Sequence, residues 1–600
     1  MTEVAPAAAE TIPAASRRTI VRLWRDAVAA GRTSPAYLVE SGHGWREISW
    51  READKGVRAY ANGFLARGVR RGDTFGLLAH NSVEWALLDF ALASIGAVSV
   101  PIYATSSERD VGYLLEHSEA VGVVCGDAGQ LAKVEAVREH LPRLEQVLAF
   151  TDLEALASEG RAYASEHPDA REAAGSPIDE DDLYTIIYTS GTTGPPKGCM
   201  ISHRNYFAMA SIGNEMKGRY INEDDVMLLY LPLAHNFGRL MLLTGARTGY
   251  TIAFLADPLR VPEALPQVRP TVLPSVPRVY EKVYAAVSAR FAEATGSKRR
   301  LLEWALRIGR EASRRREDGR KIPRSLALRL GIADRLVFRK VRERLGGRLR
   351  FPISGGAPLA REVMEFFDAI GIRIYEGYGL TECTTACAFN NGTHYRFGSV
   401  GPALPGFELR IADDGEILVR SETVFQGYFK DPEATRAVFT DDGWLRTGDL
   451  GELDEDGLLT ITGRKKDIIV TAGGKNVSPQ NIENDLKMSP YIAQALVVGD
   501  RRRYVAALVT LDAAEIGRWA AERGIEGDEA TLSRHPQIHE LIAGVVEDVN
   551  RERTRFEQIK RFTILPRDFT VEAGEVTQTL KLRRGTIQEH FADEIEELYA

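Results

Sequence analysis

The residues from 188 to 198, YTSGTTGPPKG, hold four Ser/Thr hydroxyls, three glycines and one lysine. Glycines let backbone N–H groups turn toward an anion, hydroxyls donate to phosphate oxygens, and Lys197 adds positive charge. The chemistry is that of a phosphate-gripping loop. It is not the ordinary P-loop, which needs glycine directly before the lysine, where Pro196 stands. Further along, SGGAPL at 354–359 follows a mostly apolar run at 349–353. Small residues at a strand end leave room for a flat ligand against the backbone, although alone they would read as a tight turn.

The run 375–382, YEGYGLTE, sets Tyr378 between Gly377 and Gly379, an aromatic face for a purine. Thr381 and Glu382 add a hydroxyl and a carboxylate suited to phosphate and Mg²⁺. A Rossmann fingerprint would need glycine where Glu382 sits. In WLRTGDL at 444–450, Asp449 follows a glycine and could accept two ribose hydroxyls, or serve only as a turn residue. GRKKD at 463–467 and TAGGKN at 471–476 read as a hinge followed by a mobile flap. Near the end, TQTLKLRR at 577–584 presents Lys581 in a Thr-flanked loop, which alone would read as a solvated basic end.

The elements that must carry these stretches alternate between helical and strand patterns. Residues 50–66 read as an amphipathic helix ended by Gly68, 74–79 as a strand, 83–94 as a helix, and 121–125 as a strand. The apolar stretch 86–102 contains Asp89, Gly96 and Pro101; it is too short and broken to span a membrane and reads as a buried helix, a turn and a strand at 97–103. Residues 154–181, rich in Ala, Gly and acids, read as a surface connection. After 466 come short strands at 468–471, 495–498 and 504–511, with a helix at 480–488. The predicted class is α/β: a large N-terminal multi-layered α/β domain at 19–465, a small mobile C-terminal α+β domain at 466–600, and a frayed tail at 1–18.

Composition supports an ordinary folded protein. In 600 residues, 44% are hydrophobic and 27% charged, which excludes a disordered chain, a collagen and a multi-span membrane protein. The net charge of −8 argues against a nucleic-acid-binding chain. Four scattered cysteines exclude a disulfide scaffold and point to a reducing, cytoplasmic compartment; Cys383 and Cys387 read as buried thiols rather than metal ligands. The first basic pair, Arg17 and Arg18, follows a mildly apolar stretch, the reverse of a secretory signal. One segment departs from the average. Residues 298–350 carry 19 Lys/Arg against 6 Asp/Glu, a net of +13, on helical periodicity. They read either as solvated helix faces or as a basic surface for an anionic substrate or anionic lipid headgroups, giving peripheral contact at the inner membrane surface.

The order and spacing of these stretches resemble the adenylate-forming (AMP-binding) superfamily over nearly the whole chain, and within it the long-chain fatty acyl-CoA synthetases. The resemblance implies a two-step reaction in which a fatty carboxylate attacks ATP, releases pyrophosphate and forms acyl-AMP, and coenzyme A then takes the acyl group and frees AMP. It further implies roles, position by position. Thr189, Ser190, Gly191, Thr192, Thr193 and Lys197 would hold the β- and γ-phosphates. Gly355, Gly356 and Ala357 would lie beside the adenine, with Gly377, Tyr378 and Gly379 packing on it. Thr381 would meet the α-phosphate and Glu382 would ligate Mg²⁺. Asp449 and Arg464 would bind the ribose. Lys581 would bridge the carboxylate and the α-phosphate, although many relatives have glycine where Leu580 stands. His235, in LPLAHN at 231–236, would line the acyl pocket, against a plain core histidine. Lys466 would be the hinge on which the C-terminal domain turns, bringing the Gly473–Gly474 loop to the coenzyme A side.

Two rivals stay open at this point. A fatty acyl-AMP ligase would hand its adenylate to a carrier protein, but such proteins commonly carry an extra segment that is not evident between Gly401 and Gly463. A non-catalytic nucleotide- or lipid-binding protein would have to lack Glu382 or Lys581, and both are present. Chain length of the substrate and oligomeric state leave no readable signal.

Overall fold

The computed structural model describes residues 16–42, 44–189, 195–216, 220–577 and 581–600. The chain divides into two compact units. One comprises residues through Tyr188, Gly198–Val261 and Glu422–Pro432; the other comprises Thr189–Lys197, Pro262–Ser421 and Glu433–Ala600.

In the first unit, strand Thr74–Ala79 pairs in parallel with Val98–Tyr103 on one side and Gly122–Cys125 on the other. Every residue of Thr74–Ala79 is buried, as expected of a parallel strand covered on both faces. Helix Trp50–Ala66 begins at a reciprocal cap: the Glu52 N–H donates to Ser49 Oγ at 3.2 Å, and the Ser49 N–H donates to the Glu52 carboxylate at 2.9 Å. Helix Val83–Ser94 is buried along almost its whole length, and strand Val98–Tyr103 follows the Gly96 turn. Asp89, the charge that interrupts this apolar stretch, is fully buried against Arg239 on helix Asn236–Thr248. Arg239 also donates to Thr185 Oγ1 and Ser99 Oγ, both at 2.6 Å, and its guanidinium lies 4.3 Å from the Tyr184 ring centroid. Breaking such a pair leaves an uncompensated charge in the core, so the two residues hold their strands and helix together as a set.

Two readings change here. Residues 154–181 are not merely a surface connection: they contain helices Leu153–Glu166 and Ala170–Gly175. The first packs so closely on Trp50–Ala66 that a Cβ on Gly160 would lie 1.9 Å from the Ala59 carbonyl oxygen, and one on Gly63 2.4 Å from that of Leu156. Small residues make this face, and small residues also make linkers, which is why the pattern misleads. Most of the tail expected at 1–18 lies outside the described residues, but Arg17 and Arg18 are held: the Arg17 guanidinium donates to the Ile178 carbonyl at 2.9 Å and the Arg18 N–H to Glu180 at 2.9 Å.

In the second unit, strands Val272–Ser275, Phe351–Ser354 and Tyr375–Tyr378 run parallel, with Ala388–Phe389 antiparallel at the edge. The basic segment is helical, as its period predicts: Gly296–Glu317, then Arg324–Ala333, a π-helical turn Asp334–Phe338, and Arg339–Arg344. An antiparallel sheet follows, in the order Glu408–Ile411, Glu416–Arg420, Leu445–Leu453, Leu459–Arg464. Beyond a turn at 465–467 lie a small hairpin, Ile469–Val470 with Asn476–Val477, and a sheet of Ile492–Val498, Val505–Leu511 and Ile559–Ile564. Helices Pro479–Leu486, Ala513–Ala521 and Pro536–Arg551 supply Ile482, Ile516 and Ile538 to the core of that sheet. Among the described residues no helix is long and apolar enough to cross a membrane.

Candidate active site

Two of the chemistry-bearing stretches begin at the carboxyl ends of neighbouring parallel strands, where open α/β sheets bind ligands. Phe351–Ser354 leads into Gly355, Gly356 and Ala357; Tyr375–Tyr378 leads into Gly379, Thr381 and Glu382. Ser354 pairs with Glu376 across the two strands. Gly355 is buried, and its N–H donates to the Ser275 carbonyl at 3.2 Å, whereas Gly356 and Ala357 are exposed. Gly356 has φ +84°, a conformation that suits glycine.

Gly377 and Gly379 also have packing reasons to be glycine. A Cβ on Gly377 would lie 2.9 Å from the Phe389 ring, and one on Gly379 only 1.7 Å from the Thr385 carbonyl oxygen. Thr381 and Glu382 stand half-buried on a short 3-10 turn, Thr381–Cys383. That turn runs into Thr384 and Thr385, both with positive φ, +57° and +108°. Two successive non-glycine residues in this region are costly and persist only where surrounding structure enforces them. Cys383, within the turn, and Cys387, after it, are buried free thiols. Among the described residues no cluster of three His, Cys, Asp or Glu is disposed to hold a metal.

Asp449 lies on strand Leu445–Leu453, directly opposite Arg464 on Leu459–Arg464. The register accounts for the ion pair: Arg464 Nε donates to Asp449 Oδ1 at 2.9 Å. Tyr378 Oη donates to the other oxygen, Oδ2, at 2.7 Å. Asp449 raises the pKa of Arg464 against the opposing effect of burial. Burial, and then the Asp449 charge, drive the Tyr378 phenol far above its ordinary range. The purine-facing aromatic and the ribose carboxylate inferred separately from sequence are thus hydrogen-bonded partners.

Lys581 adjoins Leu582, which bridges to Val576, and its N–H donates to Thr577 Oγ1 at 3.0 Å; residues 578–580 lie outside the described residues. Solvent reaches its side chain, yet it is surrounded by enough protein to lower its pKa. Arg464 lowers it further, while Asp449 and Glu382 act in the opposite direction. The lysine therefore feels the charges of Asp449, Arg464 and Glu382, residues as much as two hundred positions earlier.

Thr189 and Lys197 flank the phosphate-loop sequence and belong to the same unit as Glu382, Asp449 and Lys581. Thr189 Oγ1 lies 3.5 Å from the Lys197 carbonyl oxygen. Ser190, Gly191, Thr192 and Thr193 lie outside the described residues. His235 belongs to the other unit. It caps helix Asn236–Thr248, its Nδ1 accepting from the Phe237 N–H at 3.1 Å, so it has a structural task of its own.

Lys466 is exposed in the turn at 465–467. Gly473 and Gly474 form the exposed tip of the hairpin that follows, with Gly474 at φ +70°. Sequence reasoning passed over two buried carboxylates. Glu376, inside the quoted motif, accepts from the Leu359 N–H at 2.9 Å and so ties both strips together. Glu416 accepts from the Gly448 N–H at 3.0 Å and pairs with Lys465 at 3.0 Å, bracing the strand that carries Asp449. A carboxylate between two glycine-rich strips was a usable signal for Glu376; nothing local marks Glu416.

Comparison with known proteins gives the chain's family. Residues 24–429 match the AMP-binding enzyme family and residues 466–600 match the AMP-binding enzyme C-terminal domain. The chain is 39% identical to the long-chain-fatty-acid–CoA ligase FadD15 of Mycobacterium tuberculosis, over 92% of each chain. Among solved structures, the adenylation domain of a carboxylate reductase from Mycobacterium chelonae superposes with a TM-score of 0.75 at 24% identity, covering 97% of this chain and 91% of that one. ATP-bound MatB from Rhodopseudomonas palustris superposes with a TM-score of 0.68 at 26% identity, covering 96% and 99%.

Proposed function

The chain belongs to the AMP-binding enzyme family, and from that premise we infer that it is an AMP-forming long-chain fatty acid–CoA ligase. It has the adenylate-forming fold, a large α/β domain followed by a small C-terminal one. A fatty carboxylate oxygen attacks the α-phosphorus of ATP, the bond to the β-phosphate oxygen breaks, and pyrophosphate leaves. The thiol sulfur of coenzyme A then attacks the acyl carbon, AMP leaves, and the thiol proton passes to solvent. Adenylation is needed because the oxygen of a free carboxylate cannot leave as oxide, whereas a phosphate ester departs easily. The protein's task is to hold the groups in line and neutralise charge.

In this reading Thr189, Ser190, Gly191, Thr192, Thr193 and Lys197 grip the distal phosphates. Gly355, Gly356, Ala357, Gly377, Tyr378 and Gly379 frame the adenine, Asp449 and Arg464 hold the ribose, and Thr381 meets the α-phosphate. Lys581 bridges the two reacting groups, His235 lines the acyl pocket, Lys466 is the hinge, and Gly473 with Gly474 serves the coenzyme A step. Glu382 beside Thr381 offers one carboxylate and one hydroxyl, a donor set that suits Mg²⁺, which takes most of its remaining ligands from substrate phosphates. Bound there, Mg²⁺ would neutralise phosphate charge. The domain boundary falls at 465/466. The basic residues 298–350 make peripheral contact with the inner membrane surface.

The observation that carries the reading is the Asp449 carboxylate held by Tyr378 Oη at 2.7 Å and Arg464 Nε at 2.9 Å, in the unit that also holds Glu382 and Lys581. Its test is AMP release with fatty acids of increasing length, with and without coenzyme A. Release that requires coenzyme A and is fastest with long chains is the expected result. Adenylate that accumulates unchanged in the presence of coenzyme A would make the protein an acyl-AMP ligase instead.

A further inference from the structure

Seven large apolar side chains stand out from the described surface, and three of them fall within nine residues: Leu328 is 69% exposed, Ile332 45% and Leu336 46%. They recur at intervals of four along Arg324–Ala333 and the π-helical turn Asp334–Phe338, so they share one face. The helix has already used its other face for the core. Leu326, Ala333, Val337 and Phe338 are buried, and Leu330 packs on Ile308 and Ala312 of the preceding helix. The outward stripe is therefore a second apolar face that folding does not use.

Basic residues are interleaved with that stripe. Lys321, Arg324, Arg335, Arg339 and Lys340 are all exposed. Among the described residues, Lys321, Arg324, Arg335 and Lys340 have no carboxylate within ion-pair distance, while Arg339 meets Glu343 at 3.0 Å. Between 321 and 344 the acids are Asp334 and Glu343, and Asp334 is taken by Arg342 at 2.5 Å. The face thus offers aliphatic side chains set among unneutralised cations, on a chain whose total charge is −8.

We propose that this helix face docks on an anionic lipid bilayer, lying in the plane of the interface with Leu328, Ile332 and Leu336 inserted and the guanidinium groups beside them reaching back to lipid phosphates. The proposal narrows the peripheral contact of residues 298–350 to one face, and it rests on that reading. A second copy of the chain does not fit as the occupant. It would bring two cationic faces together over three side chains, far short of the roughly 1,000 Å² that a stable interface needs. Anionic headgroups complement the charge, and acyl chains the aliphatic groups.

Flotation of the full chain with phosphatidylglycerol-rich vesicles and with phosphatidylcholine vesicles tests this. The chain should float with the anionic vesicles, lose that binding as salt is raised, and stay behind with neutral ones. The triple variant L328S/I332S/L336S and the pair R324E/R335E should each weaken vesicle binding about tenfold or more. Both should keep the wild-type melting temperature and the wild-type AMP release on detergent-dispersed fatty acid. Equal binding by wild type and either variant would overturn the proposal, as would equal binding to neutral vesicles or no vesicle binding at all. A dimer in light scattering that the triple variant dissolves would assign the face to self-association. AMP release is read separately, so loss of the docking face and failure of the ligase reading give different results.

Discussion

Asp449 has both carboxylate oxygens engaged by side chains of different character, Tyr378 Oη at 2.7 Å and Arg464 Nε at 2.9 Å. A carboxylate held from two directions is oriented before a ligand arrives, which suits the ribose-binding role proposed for it. Lys581 differs in kind: among the described residues its side chain has no ion-pair partner, although Arg464, Asp449 and Glu382 act on it electrostatically. In the proposed reaction this cation acts in one half-reaction and withdraws in the next. Replacing Lys581 with Ala should therefore slow pyrophosphate release by about a hundredfold or more, an effect of the size expected for losing a charge that stabilises a transition state. Thioester formation from supplied acyl-AMP should stay within about threefold of wild type. Equal loss in both half-reactions would remove Lys581 from its assigned role.

At the scale of elements, two neighbouring parallel strands deliver their loops to one edge, and a buried carboxyl joins them. Burial drives Glu376 up to about 8, against the opposing hydrogen bond from the Leu359 N–H. Its folded pKa lies above its unfolded value of about 4.3. Its contribution to stability is thus fully present below that unfolded value and is lost as pH rises toward 8. Glu376→Gln keeps an acceptor for Leu359 but has no proton to lose. It should match wild type in melting temperature at pH 5 and exceed it by roughly 2–5 °C at pH 8. Parallel melting curves across that range would show that Glu376 does not titrate with folding. Elements also explain where sequence patterns succeed. The capped, amphipathic helix Trp50–Ala66 and the apolar strand Thr74–Ala79 declare themselves through local propensity. Helix Leu153–Glu166 does not, because its packing face includes Ala157 and Gly160, and close approach, not hydrophobic periodicity, is what buries it.

For the molecule as a whole, the turn at 465–467 lies where the match to the C-terminal family domain begins. Lys466 is exposed, and among the described residues its N–H donates no backbone hydrogen bond. Proline there would remove little native bonding while locking φ near −65° and restricting Lys465. Lys466→Pro should leave pyrophosphate release within about threefold of wild type and slow thioester formation more than about tenfold, because under the proposed hinge role only the second step needs the turn to change. If both steps slowed together, a hinge at this residue would be the wrong description.

The chemistry of the hydroxyl- and glycine-rich loop was legible from its own composition, whereas the aromatic between glycines, the Thr–Glu pair and the late lysine, which alone would read as a solvated basic end, took their meaning from the order and spacing of the stretches together. Also legible were the elements whose signals are local, since caps, turns and apolar periods are set by neighbours in the chain. Tertiary structure alone decided which stretches meet. Arg464 finds Asp449 through strand register, Tyr378 joins them from another sheet, Glu376 and Glu416 brace the loops from behind, and Leu328, Ile332 and Leu336 are left facing outward. These outcomes depend on contacts between residues far apart in the chain, and on which side of a helix the core has already claimed, and neither leaves a mark in a local pattern.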